Sequence, residues 1–303
     1  MRADLLTHYE DLTDNYRQID YQVGARAVYD ETVAHLNRLL ATTDQVPSSL
    51  YRRFVLGLGD AAQLAAWLAI DNQDYGAARQ YCALALSSAE EGEDPNLHSY
   101  VLGVMSYIHL HAGRGLEALH LLEAALHVAD THRFGVNPAV RSWLCEATGE
   151  AYAITGQRRA GARALAQAEQ LFDAVCSDTV PRWLGFFNSE GHAARLQGRC
   201  LMRLGDGRSA ISALEIACEL LPDHYVREQS GTLIDLAAAH LLETNLTPNS
   251  VEPATAADIV QEAWRLAIMT ESDRNQHRIR ELLPAFAPYA HLETVQALTY
   301  VVC

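Results

Sequence analysis

The hydrophobic pattern of this chain alternates runs of helical periodicity with short polar turns, and small residues recur at matching places within the runs. In the first copy, Ala78 and Ala85 lie seven residues apart and so share one helix face. The later copies repeat the order of a turn, a small residue, a larger apolar residue and an alanine: Ala118, Leu122 and Ala125; Gly161, Leu165 and Ala168; Ala210, Leu214 and Ala217; Ala256, Val260 and Ala263. Antiparallel helices pack closely only where facing side chains are small, so each copy predicts the second helix of a pair.

Five such copies predict an all-α fold, namely a right-handed superhelical solenoid of antiparallel helix pairs of tetratricopeptide (TPR) type. The copies lie roughly 40 to 49 residues apart, longer than the usual ~34, so we expect longer helices or insertions between them. Armadillo-like or other helical solenoids are the alternative. We predict one solenoid over residues 1–303, with a helical pair at 1–46, about five TPR-like pairs at 47–271 and capping helices at 272–303.

The charge of the chain argues against nucleic acid as a partner. The formal net charge is −15, whereas a phosphate-binding surface needs clustered cations on one face. The one compact basic cluster, Arg158, Arg159 and Arg163, sits among small apolar residues. We therefore expect no nucleic acid binding by this chain itself.

The apolar segments predict neither a membrane span nor a secretory signal. The longest apolar stretch, residues 56–70, is interrupted by Asp60 and Gln63 and is too short to cross a bilayer. The first residues contain no apolar signal core. Six cysteines are scattered without Cys-x-x-Cys spacing, which favours reduced core thiols. We expect a cytoplasmic protein.

The first helix of each pair lines the concave surface of such a solenoid, so its exposed side chains are the candidate ligand-binding residues. Counting back from the small residues predicts this set in chain order: Gln63, Trp67, Tyr100, Tyr107, His111, Trp143, Glu146, Glu150, His192, Arg195, Arg199 and Arg203. The groove would pass from aromatic through acidic to basic, which suits a zwitterionic or peptide ligand gripped by arginines. The alternative is that these residues are core aromatics and solvated or internally paired charges.

One histidine-rich helix offers a weaker candidate for metal binding. His120, Glu123 and His127 are three and four residues apart and share one helix face. The second helix of a pair faces the convex side, and this spacing matches no known metal motif. We expect no metal and no other cofactor.

Catalytic motifs are missing from the sequence. There is no nucleophile elbow, phosphate loop or paired-carboxylate motif, and Gly57-Leu58-Gly59 lacks the rest of a phosphate fingerprint. We therefore expect binding rather than catalysis and assign no catalytic residue. An enzyme built on the histidine-rich central repeat is a further alternative.

Four segments resemble the TPR sensor region of actinomycete transcriptional regulators of the Xre/Cro type. They are residues 12–20 (Leu-Thr-Asp-Asn-Tyr-Arg-Gln-Ile-Asp), 62–67 (Ala-Gln-Leu-Ala-Ala-Trp), 74–78 (Asp-Tyr-Gly-Ala-Ala) and 183–187 (Trp-Leu-Gly-Phe-Phe). The resemblance covers nearly the whole chain but rests mainly on packing motifs. Members of that group carry a helix-turn-helix domain before the first segment, where this sequence has about ten residues. The sequence is thus either a stand-alone relative or a regulator without that domain.

The resemblance implies ligand or peptide sensing associated with transcriptional regulation, and DNA binding is not carried over. The expected partners are a peptide, a small-molecule effector or a protein in the concave groove. A stand-alone protein–protein scaffold or dimerisation module is the alternative function, and a homodimer would suit it.

Overall fold

Helices account for most of the residues that the structure describes. The computed structural model describes residues 2–132, 135–176, 179–187, 189–246 and 252–302. These described residues contain no strand and form fourteen α-helices: α1 Ala3–Val23, α2 Tyr29–Thr42, α3 Ser48–Asp71, α4 Tyr75–Glu91, α5 Pro95–His111, α6 Gly115–Thr131, α7 Pro138–Ile154, α8 Arg158–Asp173, α9 Glu190–Arg203, α10 Gly207–Leu220, α11 Val226–Leu246, α12 Glu252–Met269, α13 Asp273–Leu282 and α14 Glu293–Val302. Short 3-10 segments lie at Ala25–Ala27, Thr43–Gln45, Arg182–Phe187 and Leu283–Tyr289. The predicted all-α class is confirmed.

Consecutive helices pack as pairs, from α3 with α4 to α11 with α12, and this confirms the TPR-like solenoid. Tight turns join the partners of the first four pairs, and each of these four turns holds a residue in the left-handed region. Gly113, Gly156 and Gly205 have φ of 67°, 72° and 80°, and Gln73 takes the same place in the first pair with φ of 60°. Glycine adopts this conformation without steric cost, which explains its recurrence in the turns.

Several helices begin at a residue whose side chain caps the free backbone N–H groups of the first turn. Asp74 accepts from the amide of Ala77 at 2.9 Å, and Asp206 accepts from the amide of Ser209 at 3.2 Å. Asp94, Asn137, Ser189 and Ser272 cap their helices in the same way. These caps set the start of each helix locally.

The small residues of the repeated pattern lie where two helices meet. Ala78, Ala118 and Ala210 are completely buried. A Cβ atom added to Gly198 would lie 2.5 Å from Cγ of Leu214, so α9 and α10 approach too closely there for any side chain. The repeated small residues therefore mark the places where two helices pack closely together.

The two ends of the solenoid meet, because α1 packs against both α3 and α11. A Cβ atom at Gly24, which has φ of 108°, would lie 1.9 Å from the carbonyl oxygen of Thr270. Nearby, the Ser272 hydroxyl donates to Oδ1 of Asp71 at 3.1 Å. The expected concave groove is consequently a largely enclosed chamber.

One described helix, α3, is long and apolar enough to cross a membrane by length and composition. It extends on both sides of the apolar stretch at 56–70, and 78% of its most apolar window is buried inside the protein. A core helix that is covered by neighbours on most sides has the same character.

The cysteines divide between the core and the surface. Cys82, Cys145 and Cys200 are buried, Cys218 is partly buried and Cys176 is exposed, all as free thiols. Burial raises the pKa of the Cys82 thiol to about 12, so this side chain packs as a small apolar residue. Cys303 lies outside the described residues.

Candidate functional site

A chamber lies at the centre of the solenoid, walled by the first helices of the pairs and closed by α1, α13 and the segment Arg182–Phe187. Its lining is formed by Arg17, Asp20, Tyr21, Gln63, Leu64, Trp67, Asp71, Tyr100, Tyr107, His111, Trp183, His192, Arg195, Leu196, Arg199, Arg227, Glu228, Arg274 and Arg278. The volume open to the centres of water molecules is about 60 Å³. One water needs about 10–15 Å³ by this measure, so the closed chamber has room for a few waters.

Aromatic rings form one half of the chamber. Trp67 Nε1 donates to the hydroxyl of Tyr100 at 2.8 Å. The rings of Tyr107 and Trp143 stack with 5.7 Å between centroids, and Trp183 lies 4.4 Å from Tyr100. Trp183 belongs to the segment at 183–187 that the resemblance singled out. The side chains of Phe186 and Phe187 in that segment lie outside the described residues.

Ion pairs fill the other half and cancel most of the expected gradient of charge. Arg195 donates to a carboxylate oxygen of Glu228. Arg199 Nη2 lies 3.0 Å from Oε1 of Glu150, and Arg203 Nη2 lies 3.4 Å from the same oxygen. Burial alone would raise the pKa of Glu228, but Arg195 and the neighbouring arginines hold it well below its ordinary value. The alternative of internally paired charges therefore describes these arginines.

Three arginines from α11 and α13 enter the chamber although they were not among the predicted site residues. They are Arg227, Arg274 and Arg278. Arg274 Nε lies 3.2 Å from Oδ1 of Asp71, and Arg278 donates to Oδ1 of Asp235. The spacing of Arg274 and Arg278, four residues apart, places both on one face of α13. That spacing is a local signal that the two arginines share a face, but it does not show which part of the fold the face contacts.

Positive charge is in slight excess around these pairs. Six arginines, Arg195, Arg199, Arg203, Arg227, Arg274 and Arg278, share five carboxylates, Asp20, Asp71, Glu150, Glu228 and Asp235. Burial lowers the pKa of Arg278 to about 10, and the arginines beside it add to that shift, although Asp235 opposes it. Such a cluster favours an anion as an additional partner.

A wider basic mouth opens beside the chamber and shares several of its residues. The mouth has a volume of about 540 Å³ and is lined by Gln73, Tyr75, Leu110, His111, Ala112, Gly113, Arg199, Arg203, Arg274, His277, Arg278 and Glu281. Among the described residues that line the mouth, Glu281 is the only carboxylate. Four arginines therefore converge on this mouth. Arg203 and Arg278 are partly exposed, at 31% and 24%, whereas Arg199 and Arg274 are largely buried in ion pairs.

Eight of the twelve predicted residues line the chamber: Gln63, Trp67, Tyr100, Tyr107, His111, His192, Arg195 and Arg199. Arg203 lines the basic mouth, and its side chain is 31% exposed. Trp143 and Glu150 are buried behind the wall. Glu146 borders a different groove on the outside of the solenoid.

Glu146 and His192 form a buried pair of titratable groups beneath the chamber. His192 Nε2 lies 3.8 Å from Oε2 of Glu146, beyond hydrogen-bond distance. Burial raises the pKa of Glu146 to about 8. Burial and the nearby Arg195 lower the pKa of His192 to about 3. Both groups are therefore mainly neutral at pH 7, which removes Glu146 from the charge balance of the chamber.

The weak metal candidates lie on the surface of the solenoid. His120, Glu123 and His127 share an exposed face of α6, away from the chamber. Among the described residues, no group of three or more His, Cys, Asp or Glu side chains is arranged to hold a metal ion.

Comparison with known proteins supports the fold. No family model and no curated protein sequence matches the chain. The crystal structure of a Rap protein complexed with competence and sporulation factor superposes with a TM-score of 0.52 at 9% identity, covering 99% of this chain and 97% of that one. The structure of BtubC (BKLC) from P. vanneervenii gives a TM-score of 0.49 at 16% identity, covering 84% and 92%.

Proposed function

We propose that this protein is a ligand-sensing TPR domain that binds a peptide or small molecule through an acidic group. The carboxylate or phosphate of the ligand binds at the basic mouth, and the rest of the ligand extends toward the aromatic wall. The observation that carries the proposal is the convergence of four arginines on one open mouth in a chain of net charge −15. Binding of an anion there offsets the excess of guanidinium groups.

Because the chamber is small, ligand binding requires a change of conformation. The enclosed space holds only a few waters, so a ligand that reaches the aromatic rings must first separate the contacts closing the chamber. Arg182 of the closing segment pairs with Asp14 on α1, and both side chains keep some exposure, 62% and 22%. A ligand that binds better to the opened form shifts the protein toward it, which is the requirement for a sensor.

The structural likeness to the Rap protein fits this proposal in one respect. That protein was solved in a complex with competence and sporulation factor, so a helical array of the same fold holds a bound factor. We extend to this chain the use of the fold for binding a ligand, and we take the chemistry of the ligand from the arginines.

The experiment that tests binding at the mouth uses citrate, which carries three carboxylates. Thermal unfolding is followed at rising citrate concentration with ionic strength held constant by NaCl. The expected result is a rise in Tm for the wild type, corresponding to about 2.7 kcal/mol when citrate reaches about 100 times its Kd. Arg203→Gln should weaken this response. Loss of the Arg203 guanidinium leaves Glu150 paired with Arg199, so the variant does not strand a buried carboxylate.

The matched control is Arg208→Gln. Arg208, like Arg203, forms a single ion pair among the described residues, in this case with Glu243 at 3.3 Å, but its side chain is 83% exposed and lies outside the mouth. Native mass spectrometry of the purified protein complements this test, since a retained metabolite or peptide gives a mass adduct. An equal response of both variants to citrate would contradict the proposal. So would a clean dimer with no adduct and no citrate effect, which would favour the scaffold function.

The link to transcription and the cytoplasmic location are part of the same proposal and rest on the resemblance to actinomycete regulators. The measurement is chromatin immunoprecipitation with a tagged chain, combined with fractionation of the cells. Enrichment of defined promoter fragments, lost when a DNA-binding partner is deleted, is the expected outcome. A tagged chain that enriches no DNA would remove this part of the proposal without affecting ligand binding.

A further inference from the structure

The joint between α8 and α9 departs from the regular packing of the solenoid. At the equivalent joints, α4 packs along α5, α6 along α7 and α10 along α11, whereas α8 makes few contacts with α9. The connection between these helices turns inward instead. Leu184 within it is completely buried, and Trp183 lies against Tyr100 in the chamber.

This departure leaves a groove on the outer side of the solenoid, between α8 and α10 with α9 as its floor. The groove has a volume of about 570 Å³. It is lined by Glu146, Ala162, Leu165, Ala166, Ala168, Glu169, Phe172, Asp173, Glu190, Ala193, Ala194, Gln197, Leu201, Ile216 and Leu220. Its residues are separate from those of the chamber and the basic mouth.

The middle of the groove is apolar and open to solvent. Ile216 and Leu220 on α10 are 48% and 45% exposed. Leu165 and Phe172 on α8 are half-buried and face the same space. Large apolar side chains gathered in one exposed groove indicate a surface that another molecule covers.

The rim of the groove is acidic. Glu169 and Asp173 on α8 and Glu190 at the start of α9 are exposed, and the described residues that line the groove include no Arg, Lys or His. Within the described residues none of these three carboxylates forms an ion pair, whereas surface carboxylates such as Glu10 and Glu262 pair with arginines. The rim therefore carries uncompensated negative charge at the edge of an apolar floor.

We propose that this groove docks a cationic amphipathic helix of a partner protein. The apolar face of that helix packs on Leu165, Phe172 and Leu220, in the place that a regular solenoid gives to the next helix, and its Lys or Arg side chains meet the acidic rim. Helices recognise such grooves through apolar residues at i, i+3, i+4 and i+7. A second copy of this chain is a poorer occupant, because its net charge of −15 opposes the rim.

The probe is a synthetic helix of about 16 residues, the length of α8, which spans about 24 Å. It carries Leu at the four docking positions and Lys at the others, with a fluorescent label for anisotropy measurements at about 150 mM salt, where long-range attraction is screened. Glu169→Gln with Asp173→Gln should weaken binding about tenfold, equivalent to about 1.4 kcal/mol. The matched control is Glu117→Gln with Glu123→Gln, which makes the same change in net charge on exposed positions of α6.

The apolar contribution is tested by a second pair of variants. Leu220→Ser removes an exposed leucine of the groove, and Leu116→Ser removes one that is 61% exposed on α6. Both side chains project into solvent, so both variants should keep the wild-type circular dichroism and Tm. Binding of the probe should fall several-fold only in Leu220→Ser.

Three results would overturn the proposal. The first is equal weakening by the groove and control variants, which would reduce the effect to general attraction to an acidic protein. The second is equal binding of a probe with Glu in place of every Lys. The third is self-association of the chain that Leu220→Ser abolishes, which would make a second copy the occupant. The Arg203→Gln variant should bind the probe normally, so failure at the chamber and failure at this groove remain distinguishable.

Discussion

Arg227 on α11 donates a hydrogen bond to Asp20 on α1, although 207 positions separate them in the chain. Both side chains are buried, at 9% and 3% exposure. The pair joins the N-terminal helix to the far end of the solenoid and thereby encloses the chamber. Burial alone would lower the pKa of Arg227, but Asp20 and nearby carboxylates raise it, so the guanidinium stays charged.

We predict that Asp20→Ala destabilises the protein by about 3 kcal/mol, because it leaves the buried Arg227 without its principal partner. Urea denaturation measures the loss, and hydrogen exchange should show increased opening of α1. Arg265→Gln, which breaks the exposed pair with Glu262, should leave the denaturation midpoint unchanged. Equal midpoints for the two variants would show that the joint between the ends does not depend on this pair.

The buried Glu146 predicts a fall in stability at high pH. Its folded pKa of about 8 exceeds the ordinary 4.5, so the stability it contributes is complete below 4.5 and is lost as pH rises through 8. His192, with a folded pKa of about 3 against 6.5, contributes stability that is lost as pH falls below 6.5, and this offsets Glu146 between 4.5 and 6.5. The effect of Glu146 alone should appear between pH 6.5 and 8, at no more than about 1.4 kcal/mol per pH unit.

Glu146→Gln should remove this decline, because the amide does not titrate. The measurement is the free energy of unfolding of wild type and variant at a series of pH values. Glu123→Gln, at an exposed position, should keep the wild-type profile. A decline of equal slope in Glu146→Gln would assign the titration to another group.

Two glycines predict opposite effects of the same substitution. A Cβ atom at Gly103 would lie 2.4 Å from Cζ3 of Trp143, so Gly103→Ala should destabilise the protein by about 1–3 kcal/mol. At Gly57, within α3, the nearest atom is Cγ of Glu10 at 3.8 Å, and Gly57→Ala should stabilise the helix by about 0.5–1 kcal/mol. Thermal unfolding distinguishes the signs. A neutral Gly103→Ala would mean that α5 and α7 can separate without cost.

Trp183 should shield the aromatic wall from solvent. Trp183→Ala removes the ring that covers Tyr100 and should increase acrylamide quenching of the remaining tryptophans, chiefly Trp67, which lines the chamber. Trp183→Phe leaves the same set of fluorophores but keeps a ring in place, so its quenching should remain low. Equal quenching in the two variants would show that this segment does not cover the chamber.

The candidate site was partly predictable. The repeat period indicates which helices face inward, and the structure places the predicted residues Tyr107, His192 and Arg199 on the wall of the chamber. Periodicity assigns a face to a helix, but it does not say how deeply that face is buried. The sequence predicts that Arg195 and Arg199 bind a ligand, whereas in the structure they pair with Glu228 and Glu150.

The helices, their pairing and the faces they bury follow from sequence patterns, because they depend on turns, caps and small residues that act within about one repeat. Closure of the solenoid depends on contacts between distant parts of the chain, since Asp20 meets Arg227 and Asp71 meets Arg274 across long separations. Small differences in packing angle accumulate over successive pairs and fix where the ends meet. No short sequence pattern reports this accumulated angle. The enclosed chamber, its basic mouth and the groove beside α8 therefore emerge only from the three-dimensional structure.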